Sequence, residues 1–207
     1  MNWEYEKKKF AEHVATYEDL GAVKIIDFKK ADSGYYRIRF IFDEQSFTLV
    51  IVGDLGELVA RNPENMTLAK FGDFLGHPDY FGGKVACMSR PRWVYDAEAA
   101  AADLRDTLHE YGREVTEEEL DDALADYDAG PAPRCRGMGM DGYERLQDIA
   151  GDLEWEDVCE AGKRQTNILD LYLCAFSLAR EQLREKGVET GAHNGQAPGV
   201  GGGSAGR

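Results

Sequence analysis

The sequence predicts an α+β protein: an N-terminal helix on a three- to five-stranded antiparallel meander sheet, then an acidic helical half and a disordered tail. Three observations carry that prediction. Apolar and polar residues alternate with a period of two through residues 35–42, between short polar turns. Apolar residues recur at three- and four-residue spacings through residues 167–186. Negative charge is concentrated in the second half, where residues 96–128 hold 13 acidic and two basic side chains and residues 141–160 hold eight and one.

Trp3, Phe10, Val14 and Tyr17 recur at spacings that share one helical face, which predicts a first helix from about Asn2 to Leu20, with Gly21 as its stop. A strand over Val23–Phe28 follows, and Ala31-Asp32-Ser33-Gly34 signals a turn. Tyr36, Ile38, Phe40 and Phe42 alternate with Tyr35, Arg37, Arg39 and Ile41, as a half-buried antiparallel strand requires. Two further strands, Phe47–Val52 and Glu57–Arg61, are joined by connections too short for a crossover helix. A helix over Thr67–Leu75, a loop over Gly76–Gly83 and an extended piece at Val85–Met88 complete an α+β unit of residues 1–95.

Residues 96–188 are expected to be helical. Asp96 caps a helix to Tyr111, and Thr116-x-x-Glu119 is a capping box opening another to about Tyr127. The composition of Gly130–Gly139 is that of a loop or hinge, so residues 130–140 separate these helices from one that starts at Asp141 and ends at Gly151. A short helix over Leu153–Ala161 and a long one over Asn167–Lys186 follow. Residues 189–207, rich in Gly, Ala and Ser, are expected to be disordered.

A hydrophobic content of 43% is enough to fill a core. The N-terminus is charged and lacks an apolar signal region, no apolar run reaches the length of a membrane span, and the four cysteines form no CxxC pair. A soluble cytoplasmic protein with reduced thiols is expected.

Catalytic and metal signatures are missing. The four histidines have no HxH or HExxH spacing, and the Asp126-x-Asp128-x-Gly130 run puts Gly137 where a calcium loop needs its closing Glu. No serine lies in a GxSxG frame, and Gly82-Gly83-Lys84 lacks the frame of a phosphate-binding loop. Asp54 and Glu57, beside a strand turn, are the first carboxylates to inspect for acid–base work. Lys24, Lys29, Lys30, Arg37 and Arg39 lie among aromatics on the sheet, but residues 1–95 carry 13 basic and 14 acidic side chains, so no dominant positive field arises. No cofactor and no direct contact with DNA are expected.

The remaining candidate is the acidic surface itself. Asp103, Asp106, Glu110, Glu114, Glu117, Glu118, Glu119, Asp121, Asp122 and Asp126 space carboxylates along two helices at intervals like those of a phosphate backbone. Acids near a helix start also favour the macrodipole, and a solvated acidic face keeps a protein soluble. In size, acid runs and neutral head, the chain resembles the small acidic inhibitors of phages and mobile elements, the anti-CRISPR proteins and DNA mimics. These share no common motif, so no residue role is carried over. The resemblance implies a non-enzymatic protein that occludes the nucleic-acid-binding surface of a basic partner, such as a guide-RNA nuclease. The alternative is an interaction module of a phage or cellular assembly, binding through apolar helix faces around Trp155, Tyr172 and Phe176.

Overall fold

The computed structural model describes residues 3–188, and the tail expected to be disordered lies outside the described residues. The fold is α+β, with two separate hydrophobic cores.

A six-stranded antiparallel sheet forms the first unit, its strands lying side by side in chain order. They are β1 (His13–Leu20), β2 (Val23–Lys30), β3 (Ile38–Asp43), β4 (Thr48–Gly53), β5 (Leu58–Arg61) and β6 (Val85–Met88). Six strands exceed the three to five expected, because β1 arises from residues whose spacing suggests helix. The N-terminal helix, α1 (Trp3–Lys9), is only seven residues long. Past a turn at Phe10, His13 and Ala15 are buried whereas Val14 is 41% exposed, an alternation of period two that denies Val14 the core position a helix would give it. Pairing of all eight β1 residues with β2, Leu20↔Val23 through His13↔Lys30, overrides the local three–four spacing.

The inner face of the sheet carries Ile26, Phe28, Ile38, Phe40, Phe42, Leu49 and Ile51, all fully buried. Packed on it is the long C-terminal helix α7 (Ile168–Glu185). Its Phe176 meets Phe40, Phe42 and Phe71 at centroid distances of 5.6, 6.0 and 4.7 Å, two sheet rings and one from a short 3-10 turn, Phe71–Phe74. That turn replaces the longer helix expected over Thr67–Leu75. Within the expected loop Gly76–Gly83, a short helix, α2 (Pro78–Gly82), delivers Phe81 to the same core.

α7 also closes the open edge of β1. Gln182 accepts from the Ala15 N–H at 2.9 Å and donates to the His13 carbonyl at 2.8 Å, and Lys186 donates to the Ala15 carbonyl at 2.8 Å. Backbone groups that would otherwise invite another strand are thereby satisfied. The core therefore does not follow a boundary at residue 95: residues 168–183 belong with the sheet.

The second unit lies between residues 93 and 165. A three-stranded antiparallel ribbon forms its base, with β7 (Trp93–Tyr95) flanked by β8 (Gly130–Pro131) and β9 (Lys163–Gln165). Four helices stand on it: α3 (Ala97–Glu110), α4 (Glu117–Ala123), α5 (Met140–Ile149) and α6 (Trp155–Val158). Their shared core holds Leu104, Leu108, Leu120, Ala123, Leu146 and Val158. Among the described residues, no helix is long and apolar enough to cross a membrane.

Candidate partner-binding surface

The helices that hold the acidic residues are set by local chemistry. Asp96 accepts from the Ala99 N–H at 2.8 Å and so caps α3, whose Ala100, Leu104 and Leu108 face the core at four-residue intervals. At α4 the capping box forms in full: the Glu119 N–H donates to the Thr116 hydroxyl at 3.2 Å, and the Thr116 N–H donates to the Glu119 carboxylate at 2.8 Å. Leu120 and Ala123 face inward, which leaves Glu117, Glu118, Asp121 and Asp122 outside. α4 ends at Ala123, earlier than the Tyr127 expected.

Tyrosines tie the unit together. The Tyr111 hydroxyl donates to Asp157 at 2.5 Å, and that carboxylate pushes the phenol up to about 12. The Tyr127 hydroxyl donates to the Ala161 carbonyl at 2.7 Å, and burial raises it to about 12 as well.

Four of the ten predicted carboxylates are held by the fold itself. Asp103 binds Arg164 through both oxygens, at 2.6 and 2.7 Å, and accepts from the Gly162 N–H at 2.8 Å. Its carboxyl lies below the usual range, chiefly because Arg164 bonds to it. Glu117 pairs with Arg105 at 2.8 Å, Glu119 is spent in the capping box, and Asp126 accepts from the Gly142 N–H at 3.1 Å. The other six, Asp106, Glu110, Glu114, Glu118, Asp121 and Asp122, are exposed and make no side-chain ion pair among the described residues. α5 packs against α4 and adds exposed Asp141, Glu144 and Asp148, which the ten did not include. The charge excess of residues 141–160 was the signal for these three. Arg145 on α5 donates to the Asp122 backbone carbonyl, and with Arg105 and Arg113 it makes three exposed cations in the segments that carry these acids.

The partition of charge follows the partition of the cores. Residues 96–165 contain 21 acidic and seven basic side chains, a net of −14 against −15 for the whole chain. Of the five sheet cations, Lys24 pairs with Asp19 at 2.5 Å, Lys30 with Glu12 at 2.7 Å and Arg37 with Asp27 at 2.8 Å, whereas Arg39 reaches Asp27 only at 4.0 Å.

Two other expectations end differently. Tyr172 and Phe176 are fully buried against the sheet, so an outer contact through them is excluded, and Trp155 packs edge-on against Tyr143 at 5.4 Å. Asp54 accepts from the Arg37 N–H at 3.2 Å in its turn, while Glu57 extends onto the outer face of the sheet.

Sequence reasoning also missed a groove of about 600 Å³ at the junction of the two units, lined by Arg90, Arg92, Trp93, Pro131, Arg134 and Cys135 among others. Arg92 pairs with Asp79 at 3.2 Å and lies 5.1 Å from the Trp93 ring centre, and Lys163 lies 5.3 Å from the same ring. Burial, then Asp128, pushes the Cys135 thiol up, away from a reactive thiolate. The lining comes from two segments some 40 residues apart, so the only local signal was the recurrence of Arg beside Pro at 90–92 and 133–134. Among the described residues, no group of three or more His, Cys, Asp or Glu could hold a metal ion. No family model, curated protein or solved structure matches the chain.

Proposed function

We propose that this protein is a non-enzymatic binding module whose acidic unit, residues 96–165, docks on a basic surface that a partner protein otherwise uses to hold nucleic acid. The observation that carries this reading is the coincidence of a charge boundary with a core boundary: a net of −14 on one separately packed unit, with six of the ten candidate carboxylates exposed and unmatched. Carboxylates held on short capped helices, not on a floppy tail, are pre-positioned, so little order is lost on docking. Opposite fields accelerate the encounter and make it sensitive to salt. An inhibitor of a guide-RNA nuclease is the specific form of this proposal, in line with the resemblance to anti-CRISPR proteins.

The experiment is affinity capture from a lysate of the source organism, comparing the wild-type chain with one in which Asp106, Glu110, Glu114, Glu118, Asp121 and Asp122 become Asn or Gln. The expected outcome is a nucleic-acid-binding protein retained by the wild type, released by added nucleic acid or by molar salt, and lost from the variant. At molar salt the screening length falls to about 3 Å, so exposed pairs no longer hold a complex. A partner that stays bound under both treatments overturns the proposal.

A further inference from the structure

The sheet has a second face, and among the described residues no helix or strand covers it. Strand register aligns Ile25, Ile41, Val50, Val59 and Cys87 as direct neighbours across five strands, β2 to β6. All five lie on the face opposite α7, the first four half-buried and Cys87 exposed. Val50, Val52, Val59 and Cys87 line an open hollow of about 340 Å³ there. A row of branched side chains on a solvent face is unusual, because an antiparallel sheet with one covered face normally alternates polar residues outward.

The flanks of that row say what fits it. On β3 the outward residues run Arg39, Ile41, Asp43, and along β5 they run Glu57, Val59, Arg61. Each strand therefore carries charge, apolar residue, opposite charge. Within one copy the two charges of a strand are four residues apart, about 13 Å, too far to pair with each other. Arg37 takes Asp27 through two bonds at 2.8 Å, whereas Arg39 approaches Asp27 only to 4.0 Å, which leaves Arg39 with bonding capacity.

We infer that this face is a self-association surface, on which a second copy of the chain seats about a two-fold axis lying along the apolar row. That operation places Arg39 opposite Asp43 of the second copy and Glu57 opposite Arg61, so both rims become complementary while the apolar rows meet. The strands of the two copies then lie along one another in opposite directions, within the roughly 30° of aligned sheet packing. A two-fold parallel to the strands through β4 would instead set Arg39 against Glu57 and Asp43 against Arg61. A charge exchange at positions 57 and 61 tells the two arrangements apart, because only the axis along the row lets the mixed variants recover both contacts. Five strands about 4.8 Å apart and three rows of side chains present about 500 Å² per copy, at the small end of specific interfaces, so a weak dimer is expected.

The test is sedimentation equilibrium of the full chain over a wide concentration range. The expected result is a monomer–dimer equilibrium with a dissociation constant of about micromolar or weaker, loosened about tenfold or more by Val50→Asp. Glu57→Arg and Arg61→Glu should each weaken the dimer through like charges, and a mixture of the two variants should recover it as a heterodimer. The mixture stays informative even if Val50→Asp disturbs folding. A monomer at every concentration, a dimer indifferent to Val50→Asp, or a mixture no tighter than its components overturns the inference. The six-carboxylate variant of the acidic unit should dimerise like the wild type, which separates this surface from the one proposed above.

Discussion

Asp103 and Arg164 join the first helix of the acidic unit to the last strand of its ribbon through two parallel bonds, at 2.6 and 2.7 Å. The same carboxylate holds the Gly162 N–H, so one of the ten acidic candidates works as an internal fastener. Both side chains are about a third exposed or more, which weakens the pair relative to a buried one. Asp103→Asn should cost about 1 kcal/mol. Because the folded carboxyl titrates below its unfolded value, the contribution is complete above about pH 4 and is lost as pH falls through the folded value. Urea unfolding at neutral and acid pH should show the variant less stable at neutrality and less sensitive to acid.

His13 predicts a second pH effect, in a different window. Its ring is 2% exposed, set between Phe10 and Phe28 at 5.1 and 5.0 Å, and its Nε2 lies 3.0 Å from the Tyr36 carbonyl. A carbonyl accepts only, so Nε2 carries the proton, and the buried Nδ1 has no partner. Burial lowers the ring below its usual 6.5. The unfolded chain then binds the proton first, and stability present above 6.5 declines as pH drops toward the folded value. Thermal unfolding between about pH 7.5 and 5 should show that decline, and His13→Leu should flatten it.

Phe176 sits where two sheet rings and the 3-10 turn meet α7. Phe176→Ala should cost about 3–5 kcal/mol, because β3, the 3-10 turn and α7 cannot all collapse into the vacated space. Tyr172→Phe removes only the 3.0 Å bond to the Leu55 carbonyl and should cost about 1 kcal/mol. Denaturant midpoints of the two variants would measure the difference directly.

Gly142 tests how the acidic helices are held together. A Cβ at this position would run into the Ala123 carbonyl, and it would come within 2.9 Å of the Met138 sulfur and of Asp126 Oδ1. Backbone does not yield as a flexible side chain does, so α5 would have to move off α4. Gly142→Ala should therefore cost about 1–3 kcal/mol despite alanine's better helix propensity. It should also weaken any salt-sensitive partner binding, since it separates Asp121 and Asp122 from the acids of α5.

Much of the fold was readable from local pattern. The strand alternation of Ile38–Phe42, the capping box at Thr116, the Asp96 cap and the long C-terminal helix all lie where their spacing puts them. The N-terminal segment was not readable. Phe10, Val14 and Tyr17 fit a helical stripe, yet only the presence of β2 as a partner makes His13–Leu20 a strand. Apart from Glu119, whose role the capping-box spacing gives, sequence could not reveal which candidate acids are spent: Asp103 meets Arg164 from 61 residues away, and Asp126 meets a backbone amide 16 residues on.

By itself the chain determined that there would be a meander, that helices would follow, and that their solvent side would be negative, because propensity, capping and net charge are local or additive. The tertiary structure alone decided that the last helix returns to the sheet, that Asp103, Glu117 and Asp126 are taken up by partners elsewhere in the fold, and that among the described residues one apolar row stays uncovered. Those outcomes depend on which distant segments meet, and burial of apolar surface, not any short-range rule, selects the meeting.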